Sequence, residues 1–229
     1  MRGNSEERIT NGGFTSRLGI LSGLAFAALL VVVRVIEGSG LPDADAPTAT
    51  VVRYWTEHRS DQMTIAVLAS LAAVLLVWFG GELRSRLARA EGGDGRLASI
   101  TFGGALLAAA GMLGSAGIEF AAADSAGSVP GQVTQALSAL QADTFLMIAG
   151  GFAVFGIAAG LAILRTGALS RSLGWLSLGA GILWLTPVGF VAIFLSLLFA
   201  AIASVATYRA ASPPRAPSPI AGETRPTEA

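Results

Sequence analysis

The chain has 229 residues, of which 53% are hydrophobic and only 13% are charged, whereas a soluble domain carries about 25% charged residues. The formal net charge is 0, so there is no overall basic field of the kind that attracts nucleic acid. The absence of cysteine excludes disulfides, Cys-ligated metals and iron–sulfur clusters, and the single histidine, His58, argues against a His-based metal site. We therefore expect no metal and no cofactor.

Six apolar segments follow a polar start, residues 1–17, that we expect to be disordered and cytoplasmic. They cover 18–36, 63–83, 97–122, 144–164, 172–185 and 190–208. Most of them are near the ~20 apolar residues that a helix needs to cross ~30 Å of hydrocarbon. Because no water satisfies the backbone inside a bilayer, each spanning segment must be helical. The sequence predicts an all-α integral membrane protein, a six-helix bundle over residues 18–208.

A short helix is predicted in the loop between the first two spans. Val51, Val52 and Trp55 recur at helical spacing and share one face. We expect this helix to lie on the membrane interface, with Tyr54 and Trp55 at the level of the lipid headgroups.

A second short helix is predicted in the loop between the third and fourth spans. Ser128 before Pro130 is a helix-start signal. Downstream, Val133, Leu137 and Leu140, together with Ala136, form an apolar stripe. This helix is expected to cap the outer side of the bundle.

The last apolar block, residues 173–208, is too long for one crossing. A helix of this length would measure about 54 Å, against ~30 Å of hydrocarbon. Thr186, Pro187 and Gly189 lie at its middle, where proline removes a donor and glycine permits a reversal. We therefore divide the block into a short fifth span and a sixth span.

The basic residues decide the orientation. All fifteen are arginine, and with six crossings twelve of them share one side of the membrane, as the positive-inside rule requires. Only Arg53 and Arg59 fall in the alternate loops, and Arg34 lies inside the first apolar run. This bias predicts a multi-pass membrane protein with both termini cytoplasmic, including a disordered proline-rich tail over residues 209–229.

Four ionisable residues are predicted at the outer ends of the spans. Helix lengths place Arg34, Glu37, Glu119 and Asp143 at a similar level, where they form a candidate outer polar cluster. Ionisable residues near membrane depth are candidates for a ligand or ion site. In the alternative interpretation, Arg34 extends to headgroup phosphates and the carboxylates lie in water or at helix starts. The sequence leaves open whether Arg34 pairs with Glu119 or Asp143.

A second group of charges follows the second span. Arg84, Arg86, Arg89 and Arg96 are candidate contacts for anionic lipid. Their distribution is accounted for equally well by the positive-inside rule alone.

Few residues are suited to catalysis. With one histidine, no cysteine and no lysine, few groups titrate near neutrality, so we expect no enzymatic activity. A structural, accessory or regulatory membrane protein is favoured, and a transporter or channel for a small solute or lipid is the alternative. G-x-x-x-G pairs such as Gly156 and Gly160 favour close helix packing within the bundle, and a homo-oligomer or a membrane-protein partner stays open.

Two segments resemble an uncharacterised family of actinobacterial multi-pass membrane proteins. Residues 78–87 (WFGGELRSRL), followed by Glu91-Gly92-Gly93, resemble the exit of that family's second span, and residues 167–176 (GALSRSLGWL) resemble its fourth-to-fifth connection. In the latter, Ser170 and Ser172 replace a proline and a tryptophan. Residues 54–59 are also similar, and the resemblance covers residues ~50–208. It implies six helices and a bacterial plasma membrane, and it carries no activity.

Overall fold

The computed structural model describes the backbone of residues 4–37, 41–43 and 45–211, with side chains from residue 21 to residue 207 of those ranges. The described residues form eight helices and no strand. The helices are α1 (Asn4–Glu37), α2 (Thr48–Glu57), α3 (Arg59–Glu91), α4 (Arg96–Ser125), α5 (Gly131–Asp143), α6 (Phe145–Thr166), α7 (Arg171–Leu183) and α8 (Gly189–Ala211).

The helices coincide with the predicted segments. The six predicted apolar segments fall on α1, α3, α4, α6, α7 and α8, and the two predicted short helices are α2 and α5. Within the described residues, four stretches are long and apolar enough to cross a membrane: Arg59–Glu91, Arg96–Ser125, Gly131–Thr166 and Gly189–Thr207. The all-helical class is therefore confirmed, and the apolar helices support a membrane protein.

Helix α1 extends beyond the N-terminal end of the first predicted apolar segment. The helix of the first apolar segment begins at Asn4 rather than near residue 18. Helix nucleation is costly but propagation adds one hydrogen bond per residue, so an established helix extends readily into adjacent polar sequence. At the other end, α8 continues to Ala211. Residues 1–3, and residues 212–229 of the predicted tail, lie outside the described part of the chain.

The break predicted in the last apolar block is confirmed. α7 ends at Leu183 and α8 begins at Gly189, with a turn containing Pro187 between them. The Thr186 hydroxyl donates a hydrogen bond to the Leu183 carbonyl oxygen at 2.8 Å. This bond satisfies one of the carbonyls that the end of α7 leaves without a helical partner.

Six helices form a closed ring. In order around it, α1 packs on α3, α3 on α4, α4 on α6, α6 on α7, α7 on α8, and α8 on α1. Helices joined by short connections are antiparallel neighbours, so the direction alternates around the ring. The short helices α2 and α5 contact each other and α4 at one end of the ring. We call the end that they cover the outer end and the opposite end the inner end.

Glycine brings the backbones of the ring helices into direct contact. A methyl group at Gly104 or Gly151 would overlap backbone atoms across the α4–α6 contact, and one at Gly156 or Gly181 would do so across the α6–α7 contact. The buried Ser177 hydroxyl strengthens the second contact, because it donates a hydrogen bond to the Gly156 carbonyl oxygen at 3.0 Å. The structure thus uses the Gly156–Gly160 pair for packing within the bundle, as small residues commonly do in membrane helices.

Large side chains fill the ring toward its inner end. Phe155 contacts Phe79 and Phe199, with ring centroids 6.3 and 6.1 Å apart. At the inner turn, the Glu91 carboxylate accepts hydrogen bonds from the backbone amides of Leu97 and Ala98. These bonds satisfy free amides in the first turn of α4 and close that end of the bundle.

Helix α2 buries its apolar face against the bundle rather than exposing it to lipid headgroups. Trp55 is fully buried and Val51 is nearly so, against Ala122, Ala123 and Ala126 at the outer end of α4. The prediction of a headgroup anchor at Trp55 was wrong because small alanine side chains leave a depression there that an indole fills. Such a ring buries a large apolar area.

The face that α5 buries also differs from the prediction. Thr134 and Ser138 are buried, whereas Val133 and Leu140 are 45% and 51% exposed. Helix α5 therefore turns its small polar residues to the bundle, where close packing favours them, and turns Val133 and Leu140 outward, whereas Leu137 packs against the cluster of Val51 and Trp55. In a bilayer the two outward residues would contact lipid.

The α4–α6 contact gives a matched pair of substitutions at adjacent glycines. Gly151→Ala places a methyl group against the backbone of Ala108 and should lower the stability by about 1–3 kcal/mol. Gly150 has open space around it, so Gly150→Ala should be neutral or stabilise by about 0.5–1 kcal/mol through helix propensity. Thermal unfolding followed by circular dichroism in detergent measures both. Equal effects of the two substitutions would contradict the close contact.

Candidate ligand cavity at the outer end

A cavity of about 130 Å³ lies inside the ring. Its walls come from the outer halves of α1, α3, α4, α6 and α8, from Gln141 at the end of α5 and from Trp184 after α7. On α1, lining residues extend from Glu37 down to Phe26, a depth of about 16 Å. The cavity therefore occupies the outer half of the bundle, and the aromatic packing around Phe155 lies below it.

Three of the four residues in the predicted polar cluster line this cavity. They are Arg34, Glu37 and Glu119. The Arg34 guanidinium donates a hydrogen bond to the Glu37 carboxylate one turn along α1. Glu119 is only 7% exposed and has no hydrogen bond or ion pair among the described residues. The outer part of the cavity thus contains one satisfied ion pair and one buried carboxylate that no partner satisfies.

Asp143 does not join the cluster. It is exposed at the end of α5 and does not line the cavity, whereas Gln141, two residues earlier, does. Two residues correspond to about 200° around a helix, so the two side chains leave α5 on opposite faces. The amide oxygen of Gln141 is buried and has no hydrogen-bond partner. Gln141 therefore occupies the place in the cluster that helix length alone assigned to Asp143.

The ion-pair partner of Arg34 also differs from the two candidates that the sequence offered. The guanidinium pairs with Glu37 rather than with Glu119 or Asp143. The i,i+3 spacing places Glu37 beside Arg34 on the same helix, and such a local pair needs no tertiary contact. Glu119 lies on α4 and faces the cavity from another wall.

Aromatic rings form the deeper part of the cavity. Trp184 stacks on Phe152 at a centroid distance of 5.0 Å and an interplanar angle of 9°, and Phe145 lies 5.5 Å from Trp184. The indole N–H of Trp184 donates a hydrogen bond to the Ser196 hydroxyl at 3.0 Å. This bond fixes the ring across the α7–α8 turn, so the floor of the cavity is apolar and rigidly positioned.

A polar network on α2 lies next to the outer end of the cavity. The Gln62 amide donates a hydrogen bond to the Tyr54 hydroxyl at 2.9 Å, and the Tyr54 ring stacks on His58. Burial raises the pKa of the Tyr54 phenol, and the neighbouring carboxylates of Glu37, Glu119 and Asp61 raise that pKa further. Tyr54 is therefore held in its neutral form close to the two carboxylates of the cavity.

The arginines at the inner end fall into two groups. Arg86 has a structural contact, because its guanidinium donates a hydrogen bond to the Thr207 carbonyl oxygen at 3.0 Å and lies 3.4 Å from the Glu82 carboxylate. Arg84, Arg89 and Arg96 are exposed and have no ion pair among the described side chains. Arg86 is therefore held by contacts within the protein, whereas the other three arginines are exposed and can contact a lipid surface.

Sequence reasoning missed Gln141, Trp184 and Ser196. The signal for Trp184 was its position beside the Pro187 turn, where an aromatic ring can fold back across both helices. Gln141 and Ser196 gave no signal, since an isolated amide or hydroxyl at a helix end is ordinary in a membrane chain. Their role depends on which residues of other helices they meet.

Comparison with protein families, with curated proteins and with solved structures finds no match to this chain. The chemistry of the site is therefore argued from its own side chains. Among the described residues, no group of three or more His, Cys, Asp or Glu side chains could hold a metal ion. The cavity offers hydrogen-bond acceptors at its outer part and an apolar surface at depth, an arrangement suited to binding a small molecule.

Charge substitutions test the geometry of the cluster. Glu119→Gln removes an unpartnered buried charge and should leave the stability unchanged or raise it by about 1 kcal/mol. Because Arg34 pairs with Glu37, Arg34→Leu and Glu119→Leu should have additive effects, within about 0.5 kcal/mol. Thermal unfolding of the single and double variants measures this. A coupling above about 1 kcal/mol would mean that Arg34 and Glu119 form a direct pair.

Proposed function

We propose that this chain is a non-enzymatic membrane protein that binds a small molecule in the cavity at its outer end, in an accessory or regulatory role. The observation that carries the proposal is the position of the cavity. It has polar side chains at its outer part and aromatic ones at depth, and the ring below it is filled by Phe79, Phe155 and Phe199. A ligand can thus enter from one side only.

The same proposal includes six membrane crossings with both termini in the cytoplasm. The four long apolar stretches support four of these crossings. The remaining two crossings would be α1 and the short α7, which are needed to complete the ring. The arginine bias then places the outer end outside the cell and the inner end in the cytoplasm of a bacterium, in line with the resemblance to actinobacterial plasma-membrane proteins.

Transport is the competing function, and two observations weigh against it. A transporter needs a hydrated path between its helices, but the cavity ends at aromatic rings that pack in the middle of the bundle. Toward the inner end, glycine contacts leave no space between the backbones, since Gly160 meets Gly174 and Leu178 directly. The geometry therefore favours binding of a ligand in the cavity over its transport through the bundle.

Cysteine accessibility tests the position of the cavity, and the chain offers a background without native cysteine. Ser196→Cys places a thiol at the floor of the cavity, and Ser204→Cys places one about 12 Å farther along α8, where the side chain is fully buried. In intact cells, a small membrane-impermeant methanethiosulfonate should label Cys at 196 and not at 204. Mass spectrometry of the purified chain measures the labelled fraction.

The same two variants distinguish binding from transport. In inverted vesicles the reagent meets the inner end, and neither position should be labelled. Labelling of Cys at 204 from the inner side would show a path through the bundle and would favour transport. Absence of labelling at 196 from the outside would contradict the outward-facing cavity itself.

A further inference from the structure

The cavity contains one acidic group that no described side chain pairs with. Its charged lining consists of Arg34, Glu37 and Glu119. Arg34 and Glu37 neutralise each other as an ion pair, which leaves Glu119 as the acidic side chain without a partner. A carboxylate that is 7% exposed and lacks a hydrogen-bond partner is costly to bury, so a cation or a hydrogen-bond donor that enters the cavity removes that cost.

A second group in the cavity also lacks a donor. The buried amide oxygen of Gln141 accepts no hydrogen bond, and Gln141 lines the same cavity as Glu119. Both unsatisfied groups are acceptors. An ammonium group carries up to three N–H donors and no acceptor, so it can satisfy both of them together.

The deeper half of the cavity selects for an apolar group. Phe26, Phe152 and Trp184 line it, and the distance along α4 from Glu119 to Met112, which also lines the cavity, is about 10 Å. A cavity of about 150 Å³ in another protein holds one benzene ring, so this volume fits a single ring or a short branched chain. Aromatic faces tolerate the nearby positive charge because they attract cations.

From these observations we propose that the cavity binds a small organic cation, an ammonium that carries one apolar group of about the size of a benzene ring. The ammonium donates to the Glu119 carboxylate and the Gln141 amide oxygen, and the apolar group lies against Phe152 and Trp184. The inference rests on the proposed binding function and adds the charge and size of the ligand. An anion is disfavoured because it brings further acceptor oxygens to a cavity whose amide acceptor is already unsatisfied, and because the guanidinium of Arg34 is already paired.

Three probes with one phenyl ring and different charge test the inference. Phenethylamine is the cation, 2-phenylethanol is neutral and 3-phenylpropanoate is the anion. Equilibrium dialysis measures their binding to the full chain in nanodiscs of zwitterionic phosphatidylcholine. We expect phenethylamine to bind about tenfold more tightly than 2-phenylethanol, as for a charge-assisted hydrogen bond against a neutral one, and 3-phenylpropanoate to bind weakest.

Two variants show whether the preference comes from Glu119. Glu119→Gln keeps the shape of the side chain and should reduce the ratio between the first two probes to about one. Asp143→Asn makes the same change in an exposed carboxylate outside the cavity and should leave the ratio unchanged. An equal loss in both variants would overturn the assignment, because it would mean that the preference is a general effect of surface charge.

A third variant separates failure of this inference from failure of the proposed function. Ala69→Phe fills the cavity from α3 and should abolish binding of all three probes, and circular dichroism confirms that the variant is folded. If 2-phenylethanol binds as tightly as phenethylamine and Ala69→Phe abolishes both, the cavity binds ligands and the cation inference is wrong. If no probe binds above the level of the filled variant, both the inference and the proposed binding function are overturned.

Discussion

Direct contact between helix backbones at glycine is the constraint on which the rest of the structure depends. Gly104 and Gly151 bring α4 against α6, and Gly156 and Gly181 bring α6 against α7, with no room for a single methyl group. In lipid, helix association depends on van der Waals packing rather than on a hydrophobic driving force, so such contacts hold the ring together. The cavity lies toward the outer end, where Phe145, Phe152 and Trp184 line it.

The fold could be predicted largely from the sequence, because the length of each apolar segment and the residues at its ends indicate where the helix begins and ends. Pro187 marked the break before α8, and Pro130 precedes the start of α5. The faces of the short helices could not be obtained in this way. Which face of α5 is buried depends on the small residues of its neighbours, and Trp55 is buried because α4 happens to end in alanines.

The sequence could predict the position of the candidate site along the helices, but it could not predict all of the residues that form the site. Helix length placed Arg34, Glu37 and Glu119 at one height, and the structure brings them to one cavity. The rotation of α5 about its own axis, which the length of the helix does not determine, brings Gln141 rather than Asp143 to the cavity. The unpartnered Glu119 departs from the rule that buried polar groups are hydrogen-bonded, and such departures are expected at functional sites, where binding is favoured over stability.

The central claim is a ring of six crossings that opens to the outside of the cell, and topology reporters test it most directly. Alkaline phosphatase, which is active only outside, and a fluorescent protein, which matures inside, would be fused after Asp94, Ser128, Gly167 and the C-terminus. The account predicts phosphatase activity only for the fusion after Ser128, and fluorescence for the other three. Phosphatase activity at the C-terminus, or the same reporter active after both Ser128 and Gly167, would contradict the six crossings on which the outward-facing cavity depends.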